Sequence, residues 1–492
     1  MNLGDLLQET PAEAADVQVT SLAYDDRRVG PGTAFFCVRG FTRDGHDFAA
    51  AALERGASAL VVDHPLGTGA PEVVVPDVRR AMAPAAARLA GDPTARLRTV
   101  GITGTNGKTT TAFLVRALLQ AGGLQTGILG TVTQVVGGVE RDAGRTTPEA
   151  IDLQPTFAAM LDGGDAACVM EVSSHALELG RADAIHWAAA IFTNLTQDHL
   201  DFHPTMEDYF AAKARLFAAA GDAPKVVDVD DPYGRRLAGA HPDAITVALD
   251  AEDARLRATD VRTGLRGSTF VVDGRTLSTP LTGRFNVRNA LQAWAVAVAL
   301  GVDEDVAADA LADAGRVPGR LEPVDRGQPF AVLVDYAHTP DSLENVLRAA
   351  RGVLDEAPDG GGRLLCVFGC GGDRDRGKRP LMGRLAADLA DVAIATSDNP
   401  RTEDPAAILD EVLAGMDAPR ATVERIEDRH AAIARAVALA GPGDVVLVAG
   451  KGHEQGQTFA DRTVPFDDRL VAAEALAAAG HATAGAGGDA RA

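Results

Sequence analysis

Short apolar runs alternate with amphipathic, helix-spaced stretches along almost the whole chain, and that alternation predicts α/β units built on parallel sheets. In the first unit Thr33 to Val38, Ala59 to Val62 and Val73 to Val75 are β-like runs set between Ala-rich helical segments. Gly91-Asp92-Pro93 closes it. A second unit starts with the apolar run Leu97 to Thr103. Phe113, Leu114, Ala117, Leu118 and Ala121 then recur at helical spacing until Gly122 and Gly123 end the helix. Further β-like runs at Ala167 to Val172, Ala188 to Asn194 and Lys225 to Val229 carry this unit to the Val317-Pro318-Gly319 turn. A third unit repeats the alternation at Phe330 to Val334, Arg363 to Phe368, Val392 to Ala395 and Val445 to Val448. The expectation is three α/β domains, 1–96, 97–318 and 319–480, with the tail 481–492 read as disordered and ligands held at strand C-termini.

Polar constellations follow these runs. Gly104-Thr105-Asn106-Gly107-Lys108-Thr109-Thr110 lies between a strand and a helix and reads as a phosphate-binding loop. Its glycines let backbone N–H groups close on phosphate oxygens; Lys108 reaches the terminal phosphates and the Thr109 hydroxyl suits Mg²⁺. The strict pattern wants glycine where Ile102 stands, so this is the compact form. Glu171 to His175 offers a carboxylate and hydroxyls for Mg²⁺ or phosphate, or simply a helix N-cap at Ser173 or Ser174. Asn194 to Asp201, with His199 and His203, suits a metal or an acidic capping loop equally. Lys213, in a helix from Met206 to Ala220, reads from the pattern alone as a surface lysine. Arg145-Thr146-Thr147-Pro148 reads as a loop before a helix that begins at Pro148. Gly369 to Arg379 is glycine-rich and dense in arginine, suited to an anion or to solvent. Asp398-Asn399-Pro400-Arg401 and Gly450-Lys451-Gly452-His453-Glu454 follow the last two strands; together they offer carboxylates for an ammonium and a guanidinium for a carboxylate, the two ends of an amino acid.

Charge and cysteine usage narrow the class. The 492 residues hold 47 Lys plus Arg against 69 Asp plus Glu, a net charge of -22. Such a field repels nucleic acid and anionic membrane, so anionic small molecules must be caught by local clusters. Cys37, Cys168, Cys366 and Cys370 include no second pair at zinc spacing, which points to buried thiols in a reducing cytoplasm. The N-terminus has no basic, apolar export signal, and the longest apolar run, Ala293 to Val302, is half a membrane span.

Taken together, the motifs resemble those of the Mur ligases, ATP-dependent amide-forming enzymes of peptidoglycan precursor synthesis, over nearly the whole length. The resemblance rests on Gly104 to Thr110, Glu171 to His175, Asn194-Leu195 with Asp198-His199-Leu200, Lys213 to Phe217, Gly283 to Val287 with Asn289-Ala290, Pro318-Gly319-Arg320, and Asp335 to Asp341. Asp398 to Arg401 followed by Gly450 to Glu454 is similar to the branch that adds diaminopimelate as the third residue. The resemblance implies UDP-N-acetylmuramoyl-L-alanyl-D-glutamate, diaminopimelate and ATP as substrates, Mg²⁺ as cofactor, and a monomer without nucleic-acid or membrane partners. It implies that Lys213 is carboxylated on its amine and holds metal with Thr109, Glu171 and His199. Lys108 then falls at the phosphates, and Asn289, Arg320 and Asp335 at ATP. Tyr24, Asp26, Phe41, Thr42 and Arg43 match positions around uridine; Thr146, Thr147, Ser173 and Arg181 match those that hold the muramoyl peptide. Arg374, Asp398, Asn399, Pro400, Arg401, Gly450 and Glu454 match the diaminopimelate site. The chain departs from the family at Asp26, usually serine, and at Leu179, where some members have glutamine.

Alternatives stay open at this level. The same ligase could use LL-diaminopimelate or L-lysine. The ligase adding the terminal dipeptide shares the layout without an expected Asp398 to Arg401 motif, and folylpolyglutamate synthases carry the phosphate loop near the N-terminus. A non-catalytic nucleotide-binding protein would keep the fold but lose Lys108, Glu171, His199 or Lys213.

Overall fold

The computed structural model describes residues 1–40, 42–264, 267–355, 361–417 and 419–481. Phe41 and the tail beyond residue 481 lie outside the described residues, and so do the readings that fall on them.

Among the described residues, strands Ser21–Ala23, Thr33–Phe36, Ala57–Val62 and Glu72–Val74 pair in chain order as a parallel sheet. The central sheet has nine strands, with Arg98–Thr103 in the middle between Trp187–Phe192 and Ala167–Glu171. Strand order reverses across Arg98–Thr103, and the crevice that opens at such a reversal is where open α/β sheets bind ligands. Ala167–Glu171 is buried on both faces, as helix-covered parallel strands must be. The C-terminal sheet has six strands, in the order Glu322–Pro323, Ala331–Asp335, Val445–Ala449, Leu364–Phe368, Val392–Ala395, Thr422–Arg425.

Three features differ from the pattern-based reading. The central sheet is not wholly parallel: Thr126–Leu129, Thr133–Val136 and Val139–Asp142 form an antiparallel meander at one edge. A separate antiparallel sheet, Thr259–Gly264, Gly267–Val272 and Arg275–Thr279, packs beside it, and Thr422–Arg425 adds a fifth parallel strand to the third unit. Thr259–Gly264 and Thr422–Arg425 are part-exposed and lack continuous apolar runs, while the buried Thr126–Leu129 is only four residues long, so a search for long apolar runs passes over them. Finally, the helix after Arg145 begins at Ala150 with Glu149 as its N-cap, so Pro148 precedes the helix.

The units meet through side chains. Ile151 of the central unit belongs to the N-terminal hydrophobic cluster, and Phe285 packs against the C-terminal one. Arginines of the N-terminal unit reach across: Arg28 to Asp152 at 2.8 Å, Arg79 to Glu149 at 3.1 Å and Arg80 to Asp183 at 3.1 Å. On the other side Asn106 Nδ2 donates to Asp341 at 2.6 Å.

Within the C-terminal unit Arg429 and Asp468 form a pair whose side chains are both 0% exposed, with Nε and Nη2 donating at 2.8 and 2.6 Å. Removing one partner strands the other charge without water. Asp468→Ala is expected to cost about 3–5 kcal/mol, read as an early unfolding transition in a denaturant titration; a midpoint equal to wild type would refute it.

Candidate active site

The strand Arg98–Thr103 delivers the chain into Gly104, and the helix Lys108–Ala121 starts from Gly107. Gly104 has φ 149°, and a Cβ there would lie 1.8 Å from Thr193 Oγ1; Gly107 has φ 85°, and its Cβ would lie 2.5 Å from Asn289 Oδ1. Only glycine lets the loop sit this close to the neighbouring strand end and to Asn289. Asn194 locks the loop by accepting from Asn106 N at 2.9 Å and donating to Asn106 O at 3.1 Å.

Two lysines converge on this loop. Lys108 Nζ donates to Gly104 O at 3.0 Å and Thr105 O at 2.8 Å. Lys213 Nζ donates to the same Gly104 carbonyl at 2.7 Å and lies 4.5 Å over the Tyr209 ring. Lys213 is 1% exposed, so the surface reading is wrong: its helix turns that face into the sheet, and no local pattern marks the turn. Burial, and after it the Lys108 charge, pushes the Lys213 amine well below the ordinary lysine range. Burial lowers Lys108 too, opposed by the Glu171 and Asp198 carboxylates.

Glu171 ends its strand buried. Its Oε1 accepts from Thr109 Oγ1 at 2.9 Å and Thr131 N at 2.9 Å, and Oε2 from Thr131 Oγ1 at 3.1 Å. His199 has φ 55°, a rare left-handed conformation for a non-glycine residue. Its Nε2 lies 3.2 Å from Asp198 Oδ2, and its ring meets His175 edge-on at 4.9 Å. Burial holds both imidazoles down at about 4, so both are neutral at pH 7.

Lys108, Thr109, Thr131, Glu171, His175 and His199 line one large cavity together with Asn289, Arg320, Asp335, Thr146, Thr147, Ser173 and Arg181. Arg320 reaches from the C-terminal unit to Thr109 Oγ1 at 3.2 Å and stacks over Tyr336. Asp335 accepts from the backbone of Leu321 at 2.7 Å and Ala337 at 2.8 Å, so its carboxylate shapes the loop beside Arg320. Ser173 caps its helix, as the N-cap reading expects, and its backbone N–H donates to Thr147 Oγ1 at 3.1 Å. Thr146 bonds Thr131 at 2.9 Å.

The N-terminal group sits apart from this lining. Tyr24 is half-buried near Asp152 and Glu149, and Asp26 pairs with Arg55 at 2.5 Å, which answers the charge that departs from the family pattern. Thr42 and Arg43 are exposed. A third group collects at strand ends of the C-terminal sheet. Asp398 and Asn399 are buried, Asn399 Nδ2 donates to Glu454 at 2.8 Å, and Arg401 Nη1 donates to Gly372 O at 2.7 Å. Gly450 passes so close that a Cβ would lie 3.2 Å from Asp398 Oδ2. Arg374 is exposed, donating to Asp373 O at 2.9 Å. Residues not selected from sequence also belong here: Arg145, Asp198, His338 and Asp341 line the cavity, Thr131 holds Glu171, and Lys451 is buried under Asn399. Asp198, His338, Asp341 and Lys451 stand inside motifs already noted; Thr131 follows a strand with no signal of its own.

Family models match in three consecutive pieces: "Mur ligase family, catalytic domain" over 18–90, "Mur ligase middle domain" over 102–297 and "Mur ligase, glutamate ligase domain" over 319–452. The chain belongs to the Mur ligase family. Its Mur ligase relatives include the UDP-N-acetylmuramoyl-L-alanyl-D-glutamate–2,6-diaminopimelate ligases of Solibacter usitatus, 45% identical over 98% of this chain and 99% of that protein, and Streptomyces avermitilis, 48% identical over 94% and 93%. A solved structure of a ligase of that name superposes with TM-score 0.70 at 32% identity, covering 98% of this chain and 99% of the other. A folylpolyglutamate synthase of Mycobacterium tuberculosis shares the fold at TM-score 0.59 and 20% identity, over 76% of this Mur ligase and 93% of its own chain.

His175, His199, His338 and His453 are all held down at about 4 by burial. The folded pKa lies below the unfolded value, so below about pH 6.5 the unfolded chain takes up protons that the folded chain refuses. Stability from these groups is therefore complete above about pH 6.5 and is lost as pH falls toward 4. Imidazole NMR signals of the metal-free protein should show four residues with no inflection between about pH 5 and 8; midpoints near 6.5 for all of the histidines would contradict the burial.

Proposed function

We propose that the protein joins meso-diaminopimelate to UDP-N-acetylmuramoyl-L-alanyl-D-glutamate at the expense of ATP, in peptidoglycan precursor synthesis. It does so as a cytoplasmic monomer, with 1–96 taking the uridine end, 97–318 the ATP and 319–480 the incoming amino acid. No helix among the described residues is long and apolar enough to cross a membrane. The observation that carries the reading is the pair of unlike sites. One cavity is lined by a phosphate loop and Lys108, with Lys213 buried against the Gly104 carbonyl of that loop, and a separate cluster sets the Arg401 guanidinium beside the Asp398 and Glu454 carboxylates.

The donor set around the loop fits a hard divalent cation: the Thr109 hydroxyl, the Glu171 carboxylate, neutral His199, and Lys213 once its amine is a carbamate. Bound there, Mg²⁺ would offset phosphate charge. Lys213 is suited to carboxylation because burial beside Lys108 favours its neutral amine, the form that attacks carbon dioxide. Lys108 swings from its loop carbonyls to the terminal phosphates and, with Arg320 across from Thr109, lets a D-glutamyl carboxylate approach the γ-phosphorus. The carboxylate oxygen bonds to that phosphorus, the bridging bond to ADP breaks, and an acyl phosphate results. The neutral amine of diaminopimelate then attacks the acyl carbon; phosphate leaves with the C–O electron pair and the nitrogen loses its proton. Asn289, Arg320, Asp335 and the loop hold ATP, while Thr146, Thr147, Ser173 and Arg181 hold the muramoyl peptide and Tyr24, Asp26, Phe41, Thr42 and Arg43 the uridine.

Arg401 has φ 52°, a left-handed backbone rare for a non-glycine residue, and its guanidinium is held by Nη1 donating to Gly372 O at 2.7 Å. A planar fork matches a carboxylate in two parallel bonds, and lysine as substrate has no distal carboxylate to offer.

Phosphate release with ATP, Mg²⁺ and the UDP-dipeptide should require meso-diaminopimelate. Release with the LL isomer or L-lysine alone would keep a ligase and overturn the amine. Arg401→Ala should lose about 2 kcal/mol or more of the preference over lysine, measured as a ratio of kcat/KM. Carboxylation is tested separately: ¹³C-bicarbonate should give a carbamate NMR signal in the wild type that Lys213→Ala lacks, and its absence from both would remove Lys213 from the metal set.

A further inference from the structure

Lys451 is 0% exposed at its side chain, yet it lies in none of the roles above. Its Nζ donates to Asn399 Oδ1 at 2.9 Å and Glu454 Oε2 at 3.1 Å, and lies 3.6 Å from Asp398 Oδ1. Two acceptors take N–H bonds of the ammonium, and the Asp398 carboxylate faces it beyond hydrogen-bond distance. Asp398 Oδ1 is buried and has no hydrogen-bond partner among the described residues, so Lys451 answers it by charge alone. The other buried cation nearby, Arg429, is committed to Asp468 and to the Ala449 carbonyl. Arg374 donates to the main-chain oxygen of Asp373 at 2.9 Å, and the Asp373 carboxylate accepts from Thr402; both residues are exposed and of opposite charge, so together they add no net charge beside Arg401. The amino-acid cluster therefore contains two carboxylates, Asp398 and Glu454, and two cations, Lys451 and Arg401.

We propose that Lys451 is a specificity-determining residue, its buried charge bringing the cluster to net neutrality so that it accepts a zwitterionic amino-acid end and disfavours a purely cationic one. This rests on the reading of Asp398, Arg401 and Glu454 as the amino-acid site. The distal end of diaminopimelate carries one ammonium and one carboxylate and adds no net charge to the cluster. The end of lysine carries one ammonium and leaves the cluster with an excess positive charge. Without Lys451 the cluster holds an excess negative charge, which a cationic end neutralises better than a zwitterionic one. Lys451 also ties Asn399 to Glu454 through shared acceptors, so it positions the groups that meet the substrate ammonium.

The test is calorimetric binding of meso-diaminopimelate and of L-lysine to the full-length protein, wild type and variants. Lys451→Met should lower the preference for meso-diaminopimelate over lysine about tenfold. Glu454→Gln, which keeps the shape and changes the charge in the opposite sense, should raise that preference by a similar factor. Affinity for ATP should stay within about twofold in both, because the ATP cavity shares neither residue. Equal loss of both amines in Lys451→Met, with an unchanged ratio, would make the lysine a structural strut and overturn the proposal. Where Lys451→Met does not fold, the Glu454→Gln ratio decides: a rise supports the charge balance and an unchanged ratio overturns it. A wild type that binds lysine in preference to meso-diaminopimelate would instead overturn the parent reading of the site.

Discussion

Two ammonium groups on one carbonyl oxygen set the chemistry of the central cleft. Lys108 and Lys213 both donate to Gly104 O, at 3.0 and 2.7 Å, because the loop is pressed against Thr193 with no room for a side chain. Like charges this close, with one of them buried, cannot both persist cheaply. The resolution is asymmetric. Lys108, on the rim of the cavity, can leave for a phosphate, while Lys213, enclosed under Tyr209 and the loop, is driven toward the neutral amine. A glycine forced by packing thus holds together one lysine that faces the cavity and one that is enclosed behind the loop.

The same economy of charge recurs in the C-terminal unit with the opposite outcome. Lys451 stays among Asn399, Glu454 and Asp398, and Arg429 stays with Asp468. Here buried cations face carboxylates rather than each other, so they hold them in place. The turn Gly450 to Glu454 links the two regions. Gly319, next to Arg320, packs so tightly on it that a Cβ would lie 2.3 Å from His453 N, and the His453 ring lies 5.1 Å from Tyr336, over which Arg320 stacks. Arg320 in turn meets Thr109 at the phosphate loop. The amino-acid cluster and the ATP cavity are thereby joined through a short, glycine-lined path.

Interdomain contacts are ionic on one side and sparser on the other. Arg28, Arg79 and Arg80 bind the N-terminal unit to Asp152, Glu149 and Asp183, and Glu149 also lies 2.9 Å from Arg181 of the cavity. The C-terminal unit meets the central one through Asn106 to Asp341 and Arg320 to Thr109, contacts centred on the glycine loop that opens the helix Lys108–Ala121.

What the chain determined by itself was whatever rests on local order. Uninterrupted apolar runs marked the buried parallel strands, and glycine spacing marked the phosphate loop, because backbone freedom and strand burial are set residue by residue. Motif order along the chain carried the family. Side-chain environment was decided elsewhere. Lys213 and Lys451 stand in motifs that carried the family, but no hydrophobic pattern around them sets them apart from surface lysines; they are buried because a helix face turns inward and because a glycine turn folds under Asn399. The meander at Thr126–Asp142 and the antiparallel sheet at Thr259–Thr279 went unread because their strands are short and mix polar with apolar residues, and strand preference depends on the surface each is packed against. Burial and charge pairing are properties of which segments meet, and only the tertiary structure decides that.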